Sequence, residues 1–137
     1  MTASQHKLWI RDALLVGVVY CAVGRLFATP DTHAQAWRLA AWLVSGAVFA
    51  AHIGYEHFKL RNSTRTLAWH AAAAVAIGAF FLAVAAAFHS LSVESTIRPI
   101  WLLAFVAWPV ITAVPAFVVA LVAGAMLARL RRSKDAE

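Results

Sequence analysis

The sequence predicts an all-α integral membrane protein with four transmembrane helices in an up-down-up-down bundle and both termini cytoplasmic. Three observations carry that prediction. Hydrophobic residues make up 63% of the 137-residue chain and charged residues only 13%, against roughly 45–50% and 25% in soluble domains. The apolar residues gather into four stretches, each near the roughly 20 residues that cross a ~30 Å hydrocarbon core. The breaks between stretches are short and polar, and short joints connect antiparallel neighbours. A soluble enzyme domain is excluded, because so apolar a chain has too little polar surface to cover itself in water.

The stretches fall near 8–28, 37–58, 67–89 and 99–128, and together form a single domain over 1–137. In the first, Lys7 and Arg11 ahead of the apolar run Ala13 to Gly24 resemble the start of a signal peptide. Arg25 interrupts the run before the small-residue site Thr32-His33-Ala34. The run also reaches spanning length only with Leu8, Trp9 and Ile10, so a retained helix is expected. Thr29-Pro30-Asp31-Thr32, Arg61-Asn62-Ser63-Thr64 and the segment from Ser90 to Pro99 supply the turns. Pro99 suits a first helical position, where its missing N–H would be unpaired anyway.

The fourth stretch, about 30 residues, would run ~45 Å as one straight helix, longer than the hydrocarbon core. Pro109 and Pro115 each remove a helical hydrogen bond, so a kink is expected there, either for packing or as a hinge. Thr112 is the nearest side chain able to serve a freed backbone group.

Orientation follows from the basic residues, which favour the cytoplasmic side. Nine of the twelve, namely Lys7, Arg11, Lys59, Arg61, Arg65, Arg129, Arg131, Arg132 and Lys134, fall on one side of a four-span chain; Arg25, Arg38 and Arg98 fall on the other. Trp9, Tyr55 and Trp69 then lie near the inner boundary, Trp37 and Trp101 near the outer one, and Trp108 deeper. The expected location is the cell membrane. The net charge of +6 is a set of membrane flanks, since a nucleic-acid surface would gather its basic residues on one solvated face. The C-terminal four would attract anionic lipid and anchor the chain. Cys21 has no partner in its own chain, so neither an internal disulfide nor a cysteine-based zinc site can form.

Helices in lipid associate by close backbone approach, for which small residues four apart are the signature. Gly46, Ala50 and Gly54 form such a stripe on the second stretch and Ala116, Ala120, Gly124 and Ala128 on the fourth; Ala79, Ala83 and Ala87 accompany Ala74 and Gly78 on the third. Spacing alone does not say whether these faces pack within one chain, in a homo-oligomer or in a larger membrane complex.

A second, polar stripe runs along the 37–58 helix. At 100° per residue Arg38, Ser45, His52 and Glu56 fall within about 40° of one another. An ionised side chain at mid-membrane costs about 2.5–3.5 kcal/mol on insertion scales, so this stripe should face the bundle interior or water. His52 and Glu56 are an i, i+4 pair; His57 follows, and His70 opens the next helix. In an antiparallel hairpin, His57 and His70 come to one membrane level, and two or three imidazoles and a carboxylate could converge. Such a set could bind a transition metal, ligate haem through two imidazoles or pass protons. The plainer reading leaves these as interfacial side chains, with Glu56 paired to Lys59, Arg61 or another base. His6, His33 and His89 lie away from this group.

Enzyme motifs are absent: there is no H-E-x-x-H, H-x-x-E-H, G-x-S-x-G or phosphate-binding glycine loop. Ser45 lies two turns from His52 on the same helix, beyond the reach a base needs to activate it. Three expectations follow. The first is a non-enzymatic accessory subunit or oligomeric scaffold. The second is a small channel or transporter with a polar path along Arg38, Ser45, His52 and Glu56. The third is a haem- or metal-binding redox protein using His52, His57 and His70.

Overall fold

A computed structural model of the chain describes residues 3–26, 34–94 and 100–134. Every regular element among them is helical: α1 (Ala3–Leu26), α2 (Ala34–Gly54), α3 (Thr64–Glu94) and α4 (Ile100–Lys134). α2 runs directly into one π-helical turn, Tyr55–Lys59. Three segments are long and apolar enough to cross a membrane: Gln35–Lys59, Thr64–Val93 and Leu103–Arg131. α1, with Lys7, Arg11, Asp12 and Arg25 in its sequence, is the most polar of the four.

The helices reach beyond the expected stretches because helical hydrogen bonding continues into the polar flanks. The joint expected over 29–36 is helical from Ala34, and that expected over 90–98 is helical to Glu94. Pro30, His33, Arg98 and Pro99 lie outside the described residues. α4 passes through Pro109 and Pro115 without interruption. The Thr112 hydroxyl donates to the carbonyls of Trp108 (2.9 Å) and Pro109 (3.1 Å). Those are not the carbonyls the prolines deprive: a missing N–H at 109 and 115 frees Phe105 and Ile111, four residues upstream. Thr112 therefore back-bonds to its own turn, a pattern that bends helices, and serves neither freed carbonyl.

α3 is the centre of the fold, packing α1 on one side and α4 on the other. Its small side chains make this feasible, and Ala68, Ala71, Ala74, Ala79, Ala83 and Ala87 are all buried. Against α4 the direction is antiparallel, with Thr64 beside Gly124, Trp69 on Phe117 at 5.0 Å and Phe80 on Phe105 at 6.1 Å. Against α1 it is parallel. Gly17 lies against Ala74 and Ile77, Gly78 against Tyr20 and the Gly17 carbonyl, and Gly24 against Leu82. The absence of a Cβ at these three glycines lets the two backbones approach.

α2 is placed differently. It touches α1 and, through Phe49 and Ile53, joins Leu67, Ala68 and Ala71 of α3 and Ala120 of α4 in one apolar cluster. Above that level Trp37, Leu39, Trp42 and Leu43 are exposed. Gly46 and Gly54 have nothing within 4 Å of where a Cβ would stand, and Ala50 is exposed. Within one chain the Gly46–Ala50–Gly54 stripe meets no neighbour. Ala120 and Gly124 lie in the α3–α4 contact, with Ala116 half-buried beside them.

Candidate functional site

The site is built where α2 ends and α3 begins. α2 closes through a wide turn: the Leu60 N–H donates to the Tyr55 carbonyl five residues back, and the Asn62 N–H to the Glu56 carbonyl six back, both at 3.2 Å. The latter is one residue wider than the usual six-residue helix closure. Arg61 takes the left-handed backbone conformation (φ 52°) that such a closure needs. Ser63 then caps α3, accepting from the Thr66 N–H at 3.2 Å through its hydroxyl while its carbonyl accepts from the Leu67 N–H at 2.9 Å. A π-turn inside a helix shifts the facing of the residues it contains, and such turns recur at functional sites.

At the start of the π-turn Glu56 faces inward, on the same side as His52 four residues before, and is 1% exposed. The His70 Nδ1–H of α3 donates to both carboxylate oxygens, at 3.0 Å and 3.1 Å. The Asn62 side-chain amide donates to Oε2. An ionised carboxylate only accepts, so these donors match its needs, and a charge so buried requires them. His70 is itself buried, as is His52 one turn before Glu56. His52 lies within electrostatic reach of Glu56, of His70 and, from α1, of Asp12. Its Nε2 is buried without a hydrogen-bond partner, as is that of His57. The His57 ring meets Phe58 edge-on at 4.9 Å.

Of the polar stripe, then, His52 and Glu56 are enclosed, Ser45 is half-buried and Arg38 is exposed. Glu56 joins His70 and Asn62, not Lys59 or Arg61, whose residues point outward. Of the three histidines expected to converge, His52 and His70 lie buried beside Glu56 while the His57 ring meets Phe58. Among the described residues no three His, Cys, Asp or Glu side chains form a group able to hold a metal. The reason is local: Glu56 engages His70 Nδ1, and His57 turns to Phe58. Asn62 was legible only as a turn residue. The clue to its second role is its place just past a closure that carries a buried carboxylate. The class defined by fold and site is a helical, membrane-length protein with a buried carboxylate–imidazole pair at one end. Comparison with models of protein families, with curated proteins and with solved structures found no match for the chain.

Proposed function

We propose that the chain is a four-span membrane protein, termini cytoplasmic, that acts as a small proton-linked channel or transporter with Glu56 and His70 as its proton-binding pair. The observation that carries this reading is the burial of Glu56, 1% exposed, between His70 and Asn62 in a segment of membrane-spanning length. Ionisable groups inside membrane helices are costly and serve ion and proton paths. The parallel contact of α1 with α3, from Gly17 to Gly24, supports counting α1 as the fourth span. The excess of Lys and Arg at the end holding both termini supports the orientation.

The chemistry follows from hydrogen-bond capacity. Ionised Glu56 accepts from both His70 and Asn62; once protonated, it carries a donor of its own and less acceptor strength, so these contacts weaken or rearrange. Proton uptake thereby loosens the join between α2 and α3. His52, with an unpartnered Nε2 one turn away, is the adjoining imidazole that can take or return the proton. Ser45 and Arg38 continue the same face of α2 toward its other end.

The test is proton flux into liposomes holding an internal pH dye, driven by a potassium diffusion potential. The wild-type protein should equilibrate pH faster than empty vesicles, and Glu56→Gln should return the rate to that of empty vesicles at equal incorporation. Equal rates for wild type and empty vesicles would sink this reading. The second reading, an accessory subunit or oligomeric scaffold, is favoured by the bare Gly46–Ala50–Gly54 face of α2. It requires that Gly46→Leu disrupt a defined oligomer or complex.

A further inference from the structure

One end of the bundle is strongly and exclusively cationic at its exposed surface among the described residues. Arg11, Lys59, Arg61, Arg65, Arg129 and Arg131 are all exposed, and the packing brings them together from four separate segments. Gly124 lies against Thr64, and Leu127 packs on the cluster of Ile53 and Leu67. Arg129 and Arg131 therefore emerge at the same end of the bundle as Arg65 and the 59–61 turn. Arg11 comes from α1, whose Asp12 reaches His52 electrostatically.

Among the described residues, carboxylates offset little of this charge. Of the two described carboxylates at this end, Asp12 is held by Arg11 at 3.4 Å and Glu56 is buried under His70 and Asn62. The opposite end offers only Arg25 and Arg38 as exposed described bases. Arg61 adds a second observation. Its left-handed backbone (φ 52°) favours glycine, yet the position carries a long cationic side chain, held outward.

We propose that this end is a binding surface for the headgroups of anionic phospholipids, their phosphates held among Arg61, Arg65, Arg129 and Arg131. Lipid is the occupant because of where the charges sit. Lys59 and Arg131 close two membrane-length segments, and Arg65 lies one residue inside the start of the third. At such positions the first phase outside the hydrocarbon is the headgroup layer. Guanidinium groups suit it, since a planar fork donates two parallel hydrogen bonds to a phosphate, and basic clusters beside membrane helices are attracted to anionic leaflets. This inference is independent of the proton reading.

The experiment is native mass spectrometry of the full chain released from mixed vesicles of phosphatidylcholine and phosphatidylglycerol in equal amounts. Wild type should retain the anionic lipid preferentially. Replacing Arg61, Arg65, Arg129 and Arg131 together by Gln should abolish most of that preference, by several-fold. Replacing Arg25 and Arg38 by Gln should leave it intact. An unchanged preference in the fourfold variant, or an equal loss in the opposite-end variant, overturns the proposal. So does a wild type that ignores the anionic lipid yet binds polyglutamate, which would point to an acidic protein partner. If the fourfold variant fails to accumulate, salt decides: the preference must fall as ionic strength rises, and a salt-independent one refutes the proposal.

Discussion

Replacing Gly78 by Ala and Gly46 by Ala should move stability in opposite directions, although both are glycines in membrane-length helices. At 78 the new Cβ would stand 2.7 Å from the Tyr20 Cβ and 3.1 Å from the Gly17 carbonyl oxygen, where ordinary contact begins at 3.4 Å. Neither neighbour is the tip of a flexible side chain, so α1 and α3 must part by several tenths of an ångström. That opens the line of contact from Gly17 to Gly24. Overpacking of this kind costs about 1–3 kcal/mol, while Ala gains about 0.5–1 kcal/mol over Gly in a helix. The expected net for Gly78→Ala is a loss on the order of 0.5–2 kcal/mol. At 46 nothing lies within 4 Å, so only the helical gain remains. Reversible unfolding in mixed detergent micelles, followed by helicity, reads both. A Gly78→Ala protein as stable as Gly46→Ala would refute the parallel packing of α1 on α3.

The remaining predictions concern the turn and the buried pair. A hydrogen bond to a charged group is worth about 1.5–3 kcal/mol; His70→Ala should lose that much, and a cycle with Glu56→Gln should show coupling well above the ~0.5 kcal/mol of independent sites. Additive losses in the same unfolding assay would deny that the two side chains interact. At 61, Gly should be tolerated or mildly stabilising, because left-handed backbone costs about 1–2 kcal/mol for other residues. Arg61→Val should destabilise. Equal midpoints for the two variants would contradict the left-handed turn.

Much of the architecture was legible because hydrophobic length is a strong signal. The stretches near 37–58, 67–89 and 99–128 became the three membrane-length segments, since a helix is the form that satisfies its own backbone in lipid. Neighbour choice was not legible. The Gly46–Ala50–Gly54 stripe drew attention on α2, yet the close backbone approach uses Gly17 and Gly24 of α1 against Gly78 of α3. Those two glycines are seven apart, two full turns, and the four-residue spacing rule passes over them. On α4 the pattern and the packing meet, with Ala120 and Gly124 against α3.

The site was legible in its residues but not in its pairing. Depth counting brings His70 level with the end of α2, but places it opposite His57. In the structure Glu56, on the inward stripe with His52, is the residue that meets His70 instead. Asn62, in a run of turn residues, gave no sign of reaching back to a carboxylate six positions earlier. Thr112 was expected to repair the proline breaks, and its hydroxyl bonds to Trp108 and Pro109 instead.

The central claim is that Glu56 exchanges a proton within the folded protein and that His70 governs the exchange. Infrared difference spectroscopy of the isotope-labelled protein in nanodiscs, taken between alkaline and acidic buffer, measures it directly. Among the bands of the chain's six carboxylate side chains, the account predicts one reversible carboxyl band at unchanged helicity that is lost in Glu56→Gln and displaced along the pH axis in His70→Gln. A carboxyl spectrum that Glu56→Gln leaves identical to wild type, or a Glu56 band that His70→Gln does not move, would contradict it.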